Sequence, residues 1–195
     1  MPLMRITVLL FIFIAFTGNA NSQSFSLLKD INASPSHGYA QPAPMGILGN
    51  NLIFWATTLT NGMELWKTDG TASGTILLKD IFTGKNNSAA GDWAVMNGQL
   101  FFVADDGKAG RELWKTDGTA AGTVMVKDIN PGSNYSYPSE LTVIGNALYF
   151  SAQNANQGYE LWKSDGTEAG TTMLKDLAPG QISSNPLYLL EMNGR

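Results

Sequence analysis

The string Glu-Leu-Trp-Lys-Thr-Asp-Gly-Thr begins at Glu64 and again at Glu112, and Glu-Leu-Trp-Lys-Ser-Asp-Gly-Thr begins at Glu160, so three copies lie 48 residues apart. The likeness runs well beyond that string. Each copy continues to Gly-Thr (Gly74-Thr75, Gly122-Thr123, Gly170-Thr171) and then to Lys-Asp (Lys79-Asp80, Lys127-Asp128, Lys175-Asp176). Upstream lies an apolar run: Leu52–Ala56, Leu100–Ala104 and Leu148–Ala152. Before each run stands a turn pair: Gly49-Asn50, Asn97-Gly98 or Gly145-Asn146. A fixed period of this length means one supersecondary unit per copy, with neighbours stacking to share a core.

The apolar runs are short, rich in β-branched and aromatic residues, and bounded by Gly, Asn and Asp, with no helical period. Four strands per copy are predicted; in the third they are Leu141–Ile144, Ala147–Ala152, Tyr159–Ser164 and Thr171–Leu177. The turn pairs suit two-residue hairpins with positive φ at both positions. The third and fourth strands are joined by Asp-Gly-Thr-x-x-Gly, whose Asp side chain can bond its own downstream backbone. Second strands such as Leu100–Ala104 are apolar on both faces, which calls for burial on both faces. An all-β array of four-stranded antiparallel, propeller-type blades meets that requirement at this period. A β-solenoid stacks much shorter coils.

The three complete units are predicted at about 45–81, 93–129 and 141–177. Residues 25–31 (FSLLKDI) match a fourth strand alone, and residues 187–195 (LYLLEMNGR) match a first strand alone, so the ring is expected to be incomplete. Either the sequence is a truncated piece of a longer protein, the favoured expectation, or another chain completes the ring through the open edges.

The pattern E-L-W-K-T/S-D-G-T-x-x-G-T followed by K-D-I/L resembles the ELWxxDGT repeat family, over about Phe25 to Arg195. The resemblance implies an exported bacterial protein and a β-propeller. It brings no catalytic or ligand residues to carry over. Members often have many more copies and a C-terminal secretion or anchoring domain.

The N-terminus agrees with export. Met1 to Arg5 carries one positive charge, Ile6–Phe16 is an unbroken apolar run, and Thr17–Gln23 is small and polar. That is the order of a secretory signal peptide, here assigned to residues 1–22, with 23–195 as the repeat domain. The run falls short of the ~20 residues a membrane helix needs, so no membrane span is expected after cleavage. The formal net charge of −4 gives no electrostatic footprint for nucleic acid. With no Cys and a single His, His37, disulfides, thiolate chemistry and two-His metal sites are excluded. His37 lies in a Pro- and Ser-containing linker and reads as a solvated loop residue.

The repeated polar residues read as structural. If Thr68 pairs with Thr75, Glu64 falls opposite Lys79; the same register sets Glu112 opposite Lys127 and Glu160 opposite Lys175, as cross-strand charge pairs. Trp66, Trp114 and Trp162 read as packing residues between units. Asp69, Asp117 and Asp165 read as turn formers. A Ca²⁺ ion wants six to eight oxygens, and the repeat does not supply that set, so no cofactor is expected. The residues that do not recur are the candidate ligand contacts: Trp93, and Tyr135 with Tyr137, all in loops between units.

The leading expectation is a non-catalytic, secreted or cell-surface repeat module that binds a protein or a polysaccharide. A carbohydrate-active hydrolase or lyase is the alternative. It needs two unlike carboxylates in one pocket, and the sequence displays no such pair. A purely structural spacer is the third reading.

Overall fold

A computed structural model describes residues 27–31, 40–88 and 91–190. The predicted signal peptide, residues 25–26, His37 and residues 191–195 lie outside them. Twelve strands are present: β1 (Ala43–Leu48), β2 (Asn51–Thr58), β3 (Gly62–Thr68), β4 (Ile76–Lys79), β5 (Trp93–Met96), β6 (Gln99–Asp105), β7 (Arg111–Thr116), β8 (Val124–Lys127), β9 (Ser139–Ile144), β10 (Ala147–Ala152), β11 (Glu160–Ser164) and β12 (Thr172–Lys175). They form three four-stranded antiparallel sheets in the orders β1-β2-β3-β4, β5-β6-β7-β8 and β9-β10-β11-β12. No helix occurs among the described residues. The sheets follow one another in series and do not close a ring.

The turns behave as their residues demand. Asn97 and Gly98 both have positive φ, as a type I′ hairpin requires. In the first and third units only Gly49 and Gly145 are positive, and the following Asn is not. Those two pairs therefore differ from the expectation; glycine in the first position suits the II′ alternative.

Two-sided burial of the second strands is the organising fact. On β6, Leu100, Phe102 and Ala104 pack with Ile53, Trp55, Leu65 and Leu78 of the first sheet. The alternate residue Phe101 packs with Leu148, Phe150, Ala152 and Trp162 of the third. Successive side chains on a strand point to opposite faces, so one strand feeds two cores. Trp55 and Phe102 meet edge to face across the first boundary, with centroids 5.6 Å apart. Trp114 belongs to the first inter-sheet core and Trp162 to the second. Trp162 stacks on Phe150 and its Nε1 donates to the Ala152 carbonyl at 3.0 Å.

Residues 27–31 and 187–190 are not strands, contrary to expectation. A strand needs a ladder partner, and neither segment joins a ladder among the described residues. Their placement nonetheless follows the repeat. Lys29 donates to the Thr75 carbonyl at 2.6 Å, as Lys127 does to the Thr171 carbonyl at 2.8 Å. Ile31 packs on Phe54, Ala56 and Trp66, as Ile81 joins the core that holds Trp114.

Truncating Phe102 to Ala is expected to lower unfolding free energy by ~3–5 kcal/mol, read from urea denaturation. A loss below about 1 kcal/mol would contradict the description of β6 as the strand between two cores.

Candidate functional site

The register of the third and fourth strands overturns the predicted Glu–Lys pairs. Lys79 lies opposite Leu65 and Leu77 opposite Trp66, leaving Leu78 as an extra residue at a bulge. The same irregularity sets Lys127 opposite Leu113 and Lys175 opposite Leu161. A bulge re-aims the side chains that follow it, so the lysines leave the glutamates.

Each glutamate instead holds the connection to the next unit. Glu64 is fully buried; its Oε2 accepts from Ile81 N at 2.7 Å and from the Ser88 hydroxyl, and its Oε1 accepts from Phe82 N at 3.3 Å. Glu112 accepts from Ile129 N at 3.0 Å, from Ser136 N at 3.2 Å and from Ser136 Oγ at 2.6 Å. Glu160 accepts from Leu177 N at 3.0 Å, from Ser184 N at 3.0 Å and from Ser184 Oγ at 2.7 Å. The serine's own carbonyl then takes an N–H of the next second strand: Asp105 N to Ser88 O at 2.6 Å, and Gln153 N to Ser136 O at 3.0 Å. Ser88, Ser136 and Ser184 recur with the period of 48. Sequence reading missed them, although their spacing was a visible signal.

Burial pushes the carboxyls of Glu64 and Glu112 up to about 7, against the lowering pull of their serine hydrogen bonds. At Glu160 desolvation still opposes ionisation, but the bonds from Ser184 and Leu177 N outweigh it and the value falls below the ordinary one. Among the described residues no sheet lies against the outer face of the third sheet, so less protein surrounds this joint than surrounds the other two.

The Asp-Gly-Thr loops are closed on themselves. Asp69 Oδ1 accepts from Thr71 N at 2.9 Å and Thr71 Oγ1 at 2.7 Å, and Asp117 and Asp165 repeat this. These bonds hold all three carboxyls below the usual range. A Cβ on Gly74, Gly122 or Gly170 would collide with that aspartate oxygen, which explains the repeated glycine. Thr68 Oγ1 meets Thr75 Oγ1 at 2.7 Å, the pairing the sequence suggested.

The repeated lysines reach across to the next unit's loop. Lys67 donates to the Gly118 carbonyl and Lys115 to the Gly166 carbonyl, both at 2.9 Å. Lys79 donates to the Ala120 carbonyl at 3.3 Å. On the third unit, Lys163 lies over the Tyr149 ring and Lys175 makes no hydrogen bond among the described residues. The apolar residues beside them follow suit. Leu78 and Val126 are each 5% exposed, whereas the equivalent Leu174 is 49% exposed; Ile81 and Ile129 are 7% and 4%, whereas Leu177 is 57%.

The residues that do not recur gather between the second and third units. Trp93, expected in a loop, is instead the first residue of β5, paired with Phe102; it is 43% exposed and lines a shallow cleft with Asp92, Glu140 and Thr142. Asp92 Oδ2 accepts from Glu140 N at 2.6 Å, and Glu140 Oε2 from Tyr188 N at 2.8 Å. Two carboxylates thus share a cleft; they stand at equivalent positions 48 residues apart, and each accepts the backbone N–H of the next equivalent position. Beside it, bordered by the same Gly91, lies a cleft of about 370 Å³ that includes Arg111, Tyr137 and Tyr159. Tyr135 meets the Tyr137 ring edge to face at 5.1 Å and is not among the cleft's lining residues. Arg111 and Tyr159 were missed as candidates; the clue was that the repeat breaks there, reading Met63, Arg111 and Tyr159 in turn.

No family model, no curated protein and no solved structure matches this chain.

The buried glutamates set a pH dependence. With folded values near 7 against an ordinary 4.5, Glu64 and Glu112 bind protons more tightly in the folded state. Their contribution to stability is full below pH 4.5 and is lost as pH rises through 7. The urea midpoint should therefore fall between about pH 5 and pH 7.5, and this fall should vanish in the E64Q/E112Q variant. A midpoint that rises over that window contradicts the assignment.

Proposed function

We propose that the chain is a non-catalytic, exported repeat module of the ELWxxDGT family, that its units are propeller-type blades, and that it binds a polysaccharide. The observation that carries the reading is a division of labour. The repeated Glu, Ser, Asp and Thr, and the lysines of the first two units, are engaged in joining one unit to the next or in closing their own loops. The variable aromatic and polar residues meet at one boundary, where accessible clefts lie. Export rests on the signal-like residues 1–22. A protein partner is the other form of the binding reading. The open face of the third unit, with Lys163, Lys175, Leu174 and Leu177, supports contact with a further unit of the same kind.

A screen of the purified protein against immobilised polysaccharides and surface proteins tests this. Saturable binding to at least one polysaccharide is expected, and binding to none contradicts it. Light scattering tests the open face: a discrete concentration-dependent oligomer is expected, and a monomer at every concentration removes that part.

The carbohydrate-active enzyme has one observation in its favour, the Asp92 and Glu140 pair beside Trp93. It predicts hydrolysis or elimination of a bound polysaccharide that D92N or E140Q abolishes by several orders of magnitude. Unchanged substrate after prolonged incubation is the outcome the binding module predicts.

A further inference from the structure

The cleft between the second and third units is built from two consecutive copies of the same joint. In the second unit, the Arg111 carbonyl accepts from Ser136 N at 3.2 Å and Tyr137 N at 3.3 Å. In the third, the Tyr159 carbonyl accepts from Ser184 N at 3.0 Å and Asn185 N at 3.1 Å. Each joint therefore presents two side chains at fixed places beside one another: Arg111 with Tyr137, and Tyr159 with Asn185. The frame recurs and the side chains do not, which is how a repeat acquires a specific site without altering its fold.

Three features give the site its chemistry. The Arg111 guanidinium lies over the Tyr137 ring, 5.8 Å from its centroid, and has no carboxylate partner among the described residues. A cation held over a ring face is attracted by the ring without using its N–H donors, and the guanidinium's forked N–H geometry matches a carboxylate. Tyr137 holds this position with φ of 47°, a left-handed conformation that is a genuine outlier for a bulky side chain. Asn185 has the same φ at the equivalent place, where its short amide tolerates it well. An aromatic kept in an unfavourable backbone conformation is a pointer to function. The remaining lining includes Ser139, Ser151, Tyr159 and Asn185, uncharged groups that donate to and accept from hydroxyls. The volume of about 370 Å³ lies at the lower end of the range for small-ligand sites, ~300–1,000 Å³.

We infer that this cleft binds a carboxylate-bearing saccharide, with Arg111 holding the carboxylate, Tyr137 fixing the guanidinium, and Tyr159, Asn185 and the two serines meeting the sugar hydroxyls. The inference rests on the polysaccharide-binding reading above and adds the class of sugar and the place where it sits. One cation beside hydroxyl and amide groups, with the apolar surfaces of Val103, Pro138 and Leu187 for the face of a sugar ring, suits a uronic acid unit better than an acidic peptide, whose hydroxyl content is low.

The test is isothermal titration of the purified protein with oligogalacturonate, with a neutral galactose oligomer of equal length, and with oligoglutamate. Arg111→Met copies Met63 of the first unit and Tyr137→Asn copies Asn185 of the third, so both variants place residues the repeat already accommodates. Oligogalacturonate should bind most tightly. Arg111→Met should weaken it by roughly tenfold to a hundredfold, the loss typical of a charge-assisted hydrogen bond. Tyr137→Asn should weaken it without lowering the melting temperature, a separation that a purely structural role for Tyr137 would not give. Equal binding of the neutral oligomer, or unchanged binding in Arg111→Met, overturns the acidic site while leaving polysaccharide binding in place. Equal or tighter binding of oligoglutamate overturns the saccharide assignment. Binding to no saccharide overturns both readings.

Discussion

A buried glutamate near the start of each third strand is the interaction on which the rest depends. Where the chain leaves one sheet for the next, its backbone N–H groups have no ladder to join, and buried donors must be satisfied. Glu64, Glu112 and Glu160 satisfy them, accepting from the residue after Lys-Asp and from a serine 24 residues ahead of the glutamate. The serine carbonyl then receives the next second strand. One side chain thus ties the connection between sheets to the third strand, beside the apolar faces that meet there.

Much of this was legible in the sequence. The period, the four strands per unit, the places of the turns (though the type of only one of the three pairs) and the two-sided burial of the second strands follow from short apolar runs and their boundaries. The packing role of Trp114 and Trp162 followed from their recurrence. The partner of the glutamate was not legible, because a bulge at Leu78 shifts the register by one residue. Counting back from Thr75 assumes an unbroken ladder. The hidden partner, Ser88 and its equivalents, did carry a signal, since it recurs with the period although its neighbours do not.

The candidate cleft was half legible. Trp93 and Tyr137 stood out as loop aromatics outside the repeat. Arg111 and Tyr159 sit at the strand position immediately before the glutamate, so they read as strand residues rather than as a site. Only the joints bring Arg111 to Tyr137 and Tyr159 to Asn185. The lysines were no more legible: Lys79 was read as a partner of Glu64, and no role was read for Lys67 or Lys115, yet all three end on carbonyls of a neighbouring loop some forty to fifty residues away.

The third unit serves as an internal control for the stacking account. It has the same sequence pattern, but among the described residues no sheet covers its outer face, and Leu174, Leu177 and Lys175 are left exposed or unengaged. Amide hydrogen exchange resolved to single residues tests the central claim most directly. If the glutamate joints bind the units together, the N–H groups of Ile81, Ile129 and Ser136 exchange as slowly as those of β6, and Leu177 and Ser184 exchange faster. Exchange of Ile129 and Ser136 at the rate of an open loop would contradict the account.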